Sequence, residues 1–367
     1  MIPSNIKYKI CFLFTLLHFL FGCSENETPV INTGIPIVNE ILADEQTHVF
    51  DLNIVPSHVV TVTSHHWIPA SDSLPKPMHL TLWDDNVIIA ESSKLKLHVY
   101  TQNGELINVL GGAGEGPGEF SIISGFMNGG DQLTVFDAKS LRFTFYNKNL
   151  GINDIKVTRH LPESNLIINE KTYLKRIRNE DPELSLVNFV TDEIVEQFDF
   201  PKVVPLGFRP GVFNSSYISK DFFSDQSFIV GYKHIPIFFL YDSKLKRKDA
   251  YYLRHTDDEV RFPVEIKPRD GESERISVLY HLILPVGNKH VLLHRGEILY
   301  LISLDKPGFP LASIHFKYPD SMDRKRFLIR DITLGGDMLY VLDSYYDMVY
   351  RFDLSKIFES TWDLIQN

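Results

Sequence analysis

Five polar side chains recur at one place in a repeating pattern: His79, Ser124, Lys220, His281 and Arg330, with Asp331 beside the last. Each lies about five residues before the first turn of its unit, on a stretch that alternates like a strand. Imidazole, hydroxyl, ammonium, guanidinium and carboxyl groups that converge in a concave site form the usual basis of polar recognition. Two chemistries follow. One is a binding pocket for a polar ligand. The other is a zinc or calcium site with His79 and His281 among its ligands, although no H-x-H or H-E-x-x-H spacing accompanies them. The competing reading is that these groups solvate a channel or pair with one another. A strand alternates its faces, so an alignment error of one residue turns every such side chain away.

Other motifs carry less chemistry. Gly111 to Gly118 is rich in glycine, but no Lys-Ser or Lys-Thr follows, and Glu115, Pro117 and Glu119 oppose a phosphate loop opening a helix. A crossing between strands, where glycine permits positive φ, is the better reading. His65 and His66 are adjacent and would face opposite sides of a strand, which disfavours chelation. Glu91, Asp137, Asp343 and Asp347 border turns at matching places and read as turn caps rather than acid–base groups. There is no G-x-S-x-G elbow and no Ser/His/Asp set distinguished by spacing. Residues 254–275 mix charges of both signs and a proline, as in an inserted surface loop, a common place for partner contact.

The elements that must hold these residues are short strands. Aromatics make up 12% of the chain, and no long stretch has a helical period. Apolar runs are instead bounded by Gly, Asp, Asn and Pro. Met78–Trp83, Val87–Glu91, Leu95–Tyr100 and Glu105–Leu110 form one four-strand unit, and 123–146 and 329–352 repeat its first three strands. A large apolar residue before a polar turn marks the end of each third strand: Tyr100, Tyr146, Val190, Tyr241, Leu304 and Phe352. The spacings are 46, 44, 51, 63 and 48 residues, and the 63-residue interval holds the charged 254–275 segment. A propeller blade takes about 40–50 residues. The expected fold is therefore all-β: a six-bladed β-propeller of four-stranded antiparallel blades at about 76–112, 121–158, 161–199, 215–253, 276–316 and 327–355. The sixth unit lacks a fourth strand, and an open ring leaves edges exposed. A closing strand is expected from the N-terminus, within Thr47 to Thr63.

Lys7 and Lys9 precede the apolar run Ile10–Phe21, which is too short to span a bilayer and suits a signal peptide. Leu20-Phe21-Gly22-Cys23 resembles a lipobox, with residues 1–22 removed and Cys23 acylated; the competing reading is an ordinary secretory signal in which Cys23 is incidental. Residues 23–40 then read as a flexible polar tether, followed by the domain at 41–367. The chain has two cysteines, Cys11 and Cys23, so a processed protein keeps no thiol for a disulfide, a metal or a nucleophile. The net charge of −10 disfavours nucleic acid as a partner.

The segment Leu97–Leu106 with Gly111–Phe120, and Val341–Ser344 leading into Val349–Asp353, resemble NHL repeats. Together with the lipobox they make the chain similar to the six-bladed β-propeller lipoproteins, NHL-like or TolB-like, of Gram-negative anaerobes. The resemblance implies an outer-membrane lipoprotein, facing the periplasm or the cell surface. It leaves the ligand open, because propellers host binding, structural and enzymatic roles alike. The first expectation is a membrane-anchored propeller that binds or scaffolds a protein, peptide or glycan partner through its loops and central channel, with no cofactor. The alternative is a metal-dependent lactonase, lyase or hydrolase with Ca or Zn at the channel mouth.

Overall fold

The computed structural model describes residues 47–54, 58–63, 66–68, 74–127, 132–169, 171–175, 184–198, 200–201, 216–219, 221–232, 235–255, 282–318, 327–344 and 347–358, with 43, 56 and 362 singly. The chain first lays down β1 (Thr47–Asp51), β2 (His58–Thr63) and β3 (His66–Ile68). The first blade follows as β4 (Pro77–Trp83), β5 (Asn86–Glu91), β6 (Lys96–Thr101) and β7 (Leu106–Gly111). The second is β8 (Ile123–Met127), β9 (Leu133–Asp137), β10 (Arg142–Tyr146) and β11 (Ile152–Val157). The third is β12 (Pro162–Asn169), β13 (Thr172–Lys175), β14 (Leu184–Asn188) and β15 (Ile194–Phe198). The fourth is β16 (Ser216–Ile218), β17 (Phe228–Tyr232), β18 (Ile237–Tyr241) and β19 (Arg247–Arg254). The fifth is β20 (Leu282–Val286), β21 (His290–Arg295), β22 (Ile298–Ser303) and β23 (Ala312–Lys317). The sixth is β24 (Ile329–Gly335), β25 (Met338–Asp343) and β26 (Val349–Asp353), before a short helix α1 (Leu354–Phe358).

Successive strands within each blade pair antiparallel because short turns join them. Asp84 and Asp85 both take positive φ, the type I′ geometry that suits a two-residue hairpin. The first strands, β4, β8, β12, β16, β20 and β24, neighbour one another in a complete circle. The fold is an all-β six-bladed propeller.

The N-terminal strands depart from expectation. Thr47 to Thr63 does not supply the fourth strand of the sixth blade. β1 lies parallel on β19 of blade 4, from Thr47 opposite Ala250 to Asp51 opposite Arg254. β2 lies parallel on β23 of blade 5. The outermost strand of the sixth sheet is β3, antiparallel to β26. Chain reach limits the order: eight residues separate β3 from β4, which keeps β3 within reach of the first blade and its neighbours. The earlier strands then fall one and two blades further back, forming a belt around blades 4, 5 and 6.

The core consists of six apolar clusters, one at each joint between neighbouring blades. Burying one such Leu, Ile or Phe side chain stabilises by about 2 kcal/mol, and each joint buries several. At the joint of blades 2 and 3, Phe143 meets Tyr173 and Phe189 at centroid distances of 5.0 and 4.9 Å. At the joint of blades 6 and 1, Trp67 of β3 packs on Tyr340 at 5.0 Å and Tyr100 at 6.0 Å. Trp362 stacks on Phe358 and donates its indole N–H to Asp337 at 2.7 Å, which fixes the chain beyond α1 against blade 6.

Candidate functional site

The inner strands of blades 1, 2 and 6 begin with the same irregularity. Pro77 faces Glu91 but His79 already faces Ala90, Ile123 faces Asp137 but Gly125 faces Phe136, and Ile329 faces Asp343 but Asp331 faces Leu342. One extra residue thus bulges from each strand: Met78, Ser124 and Arg330. Bulges of this kind occur at rims and re-aim a side chain. They also correct the sequence alignment by one residue. His79 is the counterpart of Gly125 and Asp331, not of Ser124 and Arg330. Counting back from the turn selected Arg330 in place of Asp331 because Gly335, which reads as a turn residue, is the last residue of β24.

Opposite the bulges stand three fully buried carboxylates, Glu91, Asp137 and Asp343. Asp137 accepts N–H bonds from Ser121, Ile122, Lys139 and Ser140 at 2.7–3.3 Å, joining the crossing between blades to the turn after β9. Burial pushes its pKa up, but the hydrogen bonds from Ser121, Ser140 and Ile122 outweigh burial and hold it below the usual range. Glu91 accepts the Lys94 N–H at 2.9 Å and also binds Ser93. Asp343 accepts the Tyr318 hydroxyl at 2.7 Å. Glu91 and Asp137 cap the turns that follow them, as their positions in the sequence suggested, and Asp343 ties its strand to Tyr318.

Arg330 and Asp331 meet at the joint of blades 6 and 1. Asp331 accepts the buried Leu80 N–H of β4 at 2.8 Å and the Ile332 N–H at 3.0 Å. Arg330 donates to the Pro77 carbonyl at 2.8 Å and to Ser344, and it lies 3.4 Å from Asp347. Burial raises the Asp347 pKa, with Asp343 adding to the shift and Arg330 opposing it. Ser124 takes the Ala138 N–H at 3.3 Å. His79 is half-buried at the start of β4, two residues beyond Pro77. Lys220, His281 and Cys23 lie outside the described residues, as does most of 254–275. Of the six aligned polar residues the structure therefore brings together Arg330 and Asp331, next to the strand that carries His79, and their hydrogen bonds hold two blades together. Among the described residues no group of three or more His, Cys, Asp or Glu side chains is placed to hold a metal ion.

The glycine run crosses from blade 1 to blade 2. Gly111 and Gly118 take φ of 81° and 76°. Arg142 binds the carbonyls of Glu115, Gly116 and Glu119, and the Glu119 carboxylate takes the Gly116 N–H at 2.8 Å, where a phosphate would have to bind.

What the sequence reading missed lies on the outer wall. Among the described residues β7, β11 and β15 are the outermost strands of blades 1, 2 and 3 with no further strand on their outer edges, and they expose Leu106, Ile107, Val109, Ile152, Val157, Ile194 and Val195. The fourth strands of blades 4 and 5 are covered by β1 and β2 as fifth strands, whereas in blade 6 β3 is itself the fourth strand. Apolar residues in fourth strands, where a solvated wall calls for polar ones, were the available signal. Among the described residues no helix is long and apolar enough to cross a membrane.

Residues 71–192 match a family model described as a 6-bladed beta-propeller, which spans blades 1 and 2 and most of blade 3. No curated protein matches the chain. Among solved structures it is similar to U3-55K, with 12% identity over 75% of this chain and 76% of that one and a TM-score of 0.47. The WD40 repeats of RRP9 align at 12% identity over 76% and 78% of the two chains, with a TM-score of 0.46. The WD40 propeller domain of Doa1 aligns at 10% identity over 75% and 78%, with a TM-score of 0.44.

Proposed function

We propose that this protein is a membrane-anchored propeller that binds or scaffolds a partner protein, held at the outer membrane by lipid on Cys23. The observation that carries the binding role is the asymmetry of the outer wall. Blades 4 and 5 have their fourth strands covered by the chain's own β1 and β2, whereas among the described residues the outermost strands of blades 1 to 3 are uncovered and carry exposed apolar side chains. Several apolar side chains exposed together on an outermost strand mark an interaction site. The wall therefore takes the role expected of the loops and central channel. The anchor rests on Leu20-Phe21-Gly22-Cys23 and on the apolar run before it.

Photo-crosslinking in intact cells tests both parts. A benzophenone residue at Val109, Ile152 or Val195 is expected to trap a protein adduct, whereas one at Lys248 or Lys317, on strands covered by the belt, is not. Cys23→Ala is expected to abolish lipid labelling and the adducts together. Equal crosslinking from all five positions would overturn the wall as the binding face. Stoichiometric zinc or calcium in the purified protein, lost in His79→Ala, would favour the metal-dependent enzyme instead.

A further inference from the structure

The outer strands of blades 1 to 4 share one more irregularity, and it distinguishes blade 3. Each bulges after its first pairing, so that Asn108, Asp154, Glu196 and Asp249 occupy equivalent places opposite Val99, Phe145, Leu186 and Leu240. On the free edges of blades 1 and 2 the short side chain folds back: Asn108 accepts the Val109 N–H and Asp154 the Ile155 N–H, each at 2.8 Å. An edge strand whose amide is satisfied by its own side chain is a poorer template for another strand. On blade 4 the edge is occupied, and Asp249 reaches outward to His48 of the added strand at 3.4 Å. Asp51 of that strand meets Arg254 of the edge at 3.3 Å, an ion pair that joins the added strand to the edge.

Blade 3 has neither arrangement. Its residue at this place is Glu196, one methylene longer and exposed, and among the described residues it makes no fold-back bond. Ile194 and Val195 are exposed beside it, and Val190 in the preceding turn is 69% exposed. We propose that β15 accepts a fifth strand, parallel as β1 is on β19, from a partner protein whose extended segment places a lysine or arginine against Glu196. This rests on the binding role argued above and assigns it to one edge. Charge selects among occupants. Residues 24–46 contain Glu25, Glu27, Glu40, Asp44 and Glu45 and no Lys or Arg, so the chain's own N-terminal segment is a poor match. A second copy pairing antiparallel through β15 would set Glu196 near Glu196, and like charges across strands destabilise.

The test uses the purified full chain with fluorescent peptides of sequence Thr-Lys-Val-Thr-Val-Thr and Thr-Glu-Val-Thr-Val-Thr. The lysine peptide is expected to bind roughly fivefold more tightly, the scale of a surface ion pair. It should slow hydrogen exchange in β15 but not in β7 or β11. Glu196→Lys, on an exposed side chain, should leave the thermal midpoint unchanged and reverse the preference. Equal affinities, an unaltered preference in Glu196→Lys, or protection of β7 or β11 would overturn the proposal. So would self-association that Glu196→Lys abolishes, which identifies a second copy, or exchange in β15 that speeds up on deletion of 24–42. Crosslinks from Val109 and Ile152 with β15 inert would leave the binding role standing and sink this assignment alone.

Discussion

Asp331 shows how a residue chosen for one chemistry can serve another. Its carboxylate accepts a backbone N–H from blade 1 while its own backbone belongs to blade 6. A buried N–H left without a partner costs about 1–3 kcal/mol. Asp331→Ala should lower the unfolding free energy by about 2 kcal/mol, read from the urea midpoint at constant m-value. Asp331→Asn, which keeps an acceptor oxygen, should cost less. A full-sized loss in Asp331→Asn, or none in Asp331→Ala, would mean the carboxylate is not acting as an inter-blade acceptor. The sequence marked this position only as the neighbour of Arg330 in the repeating pattern. It did not show the use, because Leu80 is 251 positions away and only ring geometry brings the two strands together. Turn caps such as Asp137 were legible for the opposite reason, since two of the amides it binds, Lys139 and Ser140, lie within three residues.

At the scale of elements, the strands and their grouping into six units followed from alternation and turn residues, which are local signals. Which strand lies on which blade was not local, and the N-terminal belt was misplaced for that reason: Thr47–Thr63 has the right propensity for an outer strand, and propensity does not specify a partner. β3 is only three residues long, yet it ties the start of the domain to its last blade through Trp67. Gly104 permits that packing, since a Cβ there would lie 3.0 Å from the indole nitrogen while the backbone holds φ at 91°. Trp67→Ala should therefore cost about 3 kcal/mol, in the range of large-to-small aromatic replacements. It should also speed hydrogen exchange in β26, whose outer edge it would loosen, while β19 under β1 stays protected. Uniform acceleration in both strands would show that Trp67 supports the fold in general and not the β3–β26 pairing.

For the molecule as a whole, stability against pH combines groups from separate blades. His98 on β6 is buried, and among the described residues neither ring nitrogen has a hydrogen-bond partner. Burial lowers its pKa most; Glu91 acts in the opposite direction, while Lys96 and Lys94 lower it further. A folded-state pKa below the unfolded value of about 6.5 means that the unfolded chain takes up the proton first, so stability is lost as pH falls below about 6.5. Asp137, Asp192, Asp225 and Asp353 are also held low by hydrogen bonds to Ser121, Thr158, Ser227 and Ser355 among others, against the effect of burial. Their contribution is complete above the unfolded aspartate value of about 3.9 and disappears as pH falls through their folded values. Asp347, raised by burial, works the other way and gains on protonation, one group against four. The thermal midpoint should accordingly decline in two stages, gently below pH 6.5 and steeply below pH 4. His98→Phe preserves the ring stack on Tyr100 and should remove the first stage while leaving the second. Asp137→Asn should flatten only the second. A wild-type midpoint that is level from pH 6.5 to 4.5, or a first stage that survives in His98→Phe, would show that the buried imidazole does not govern the upper range.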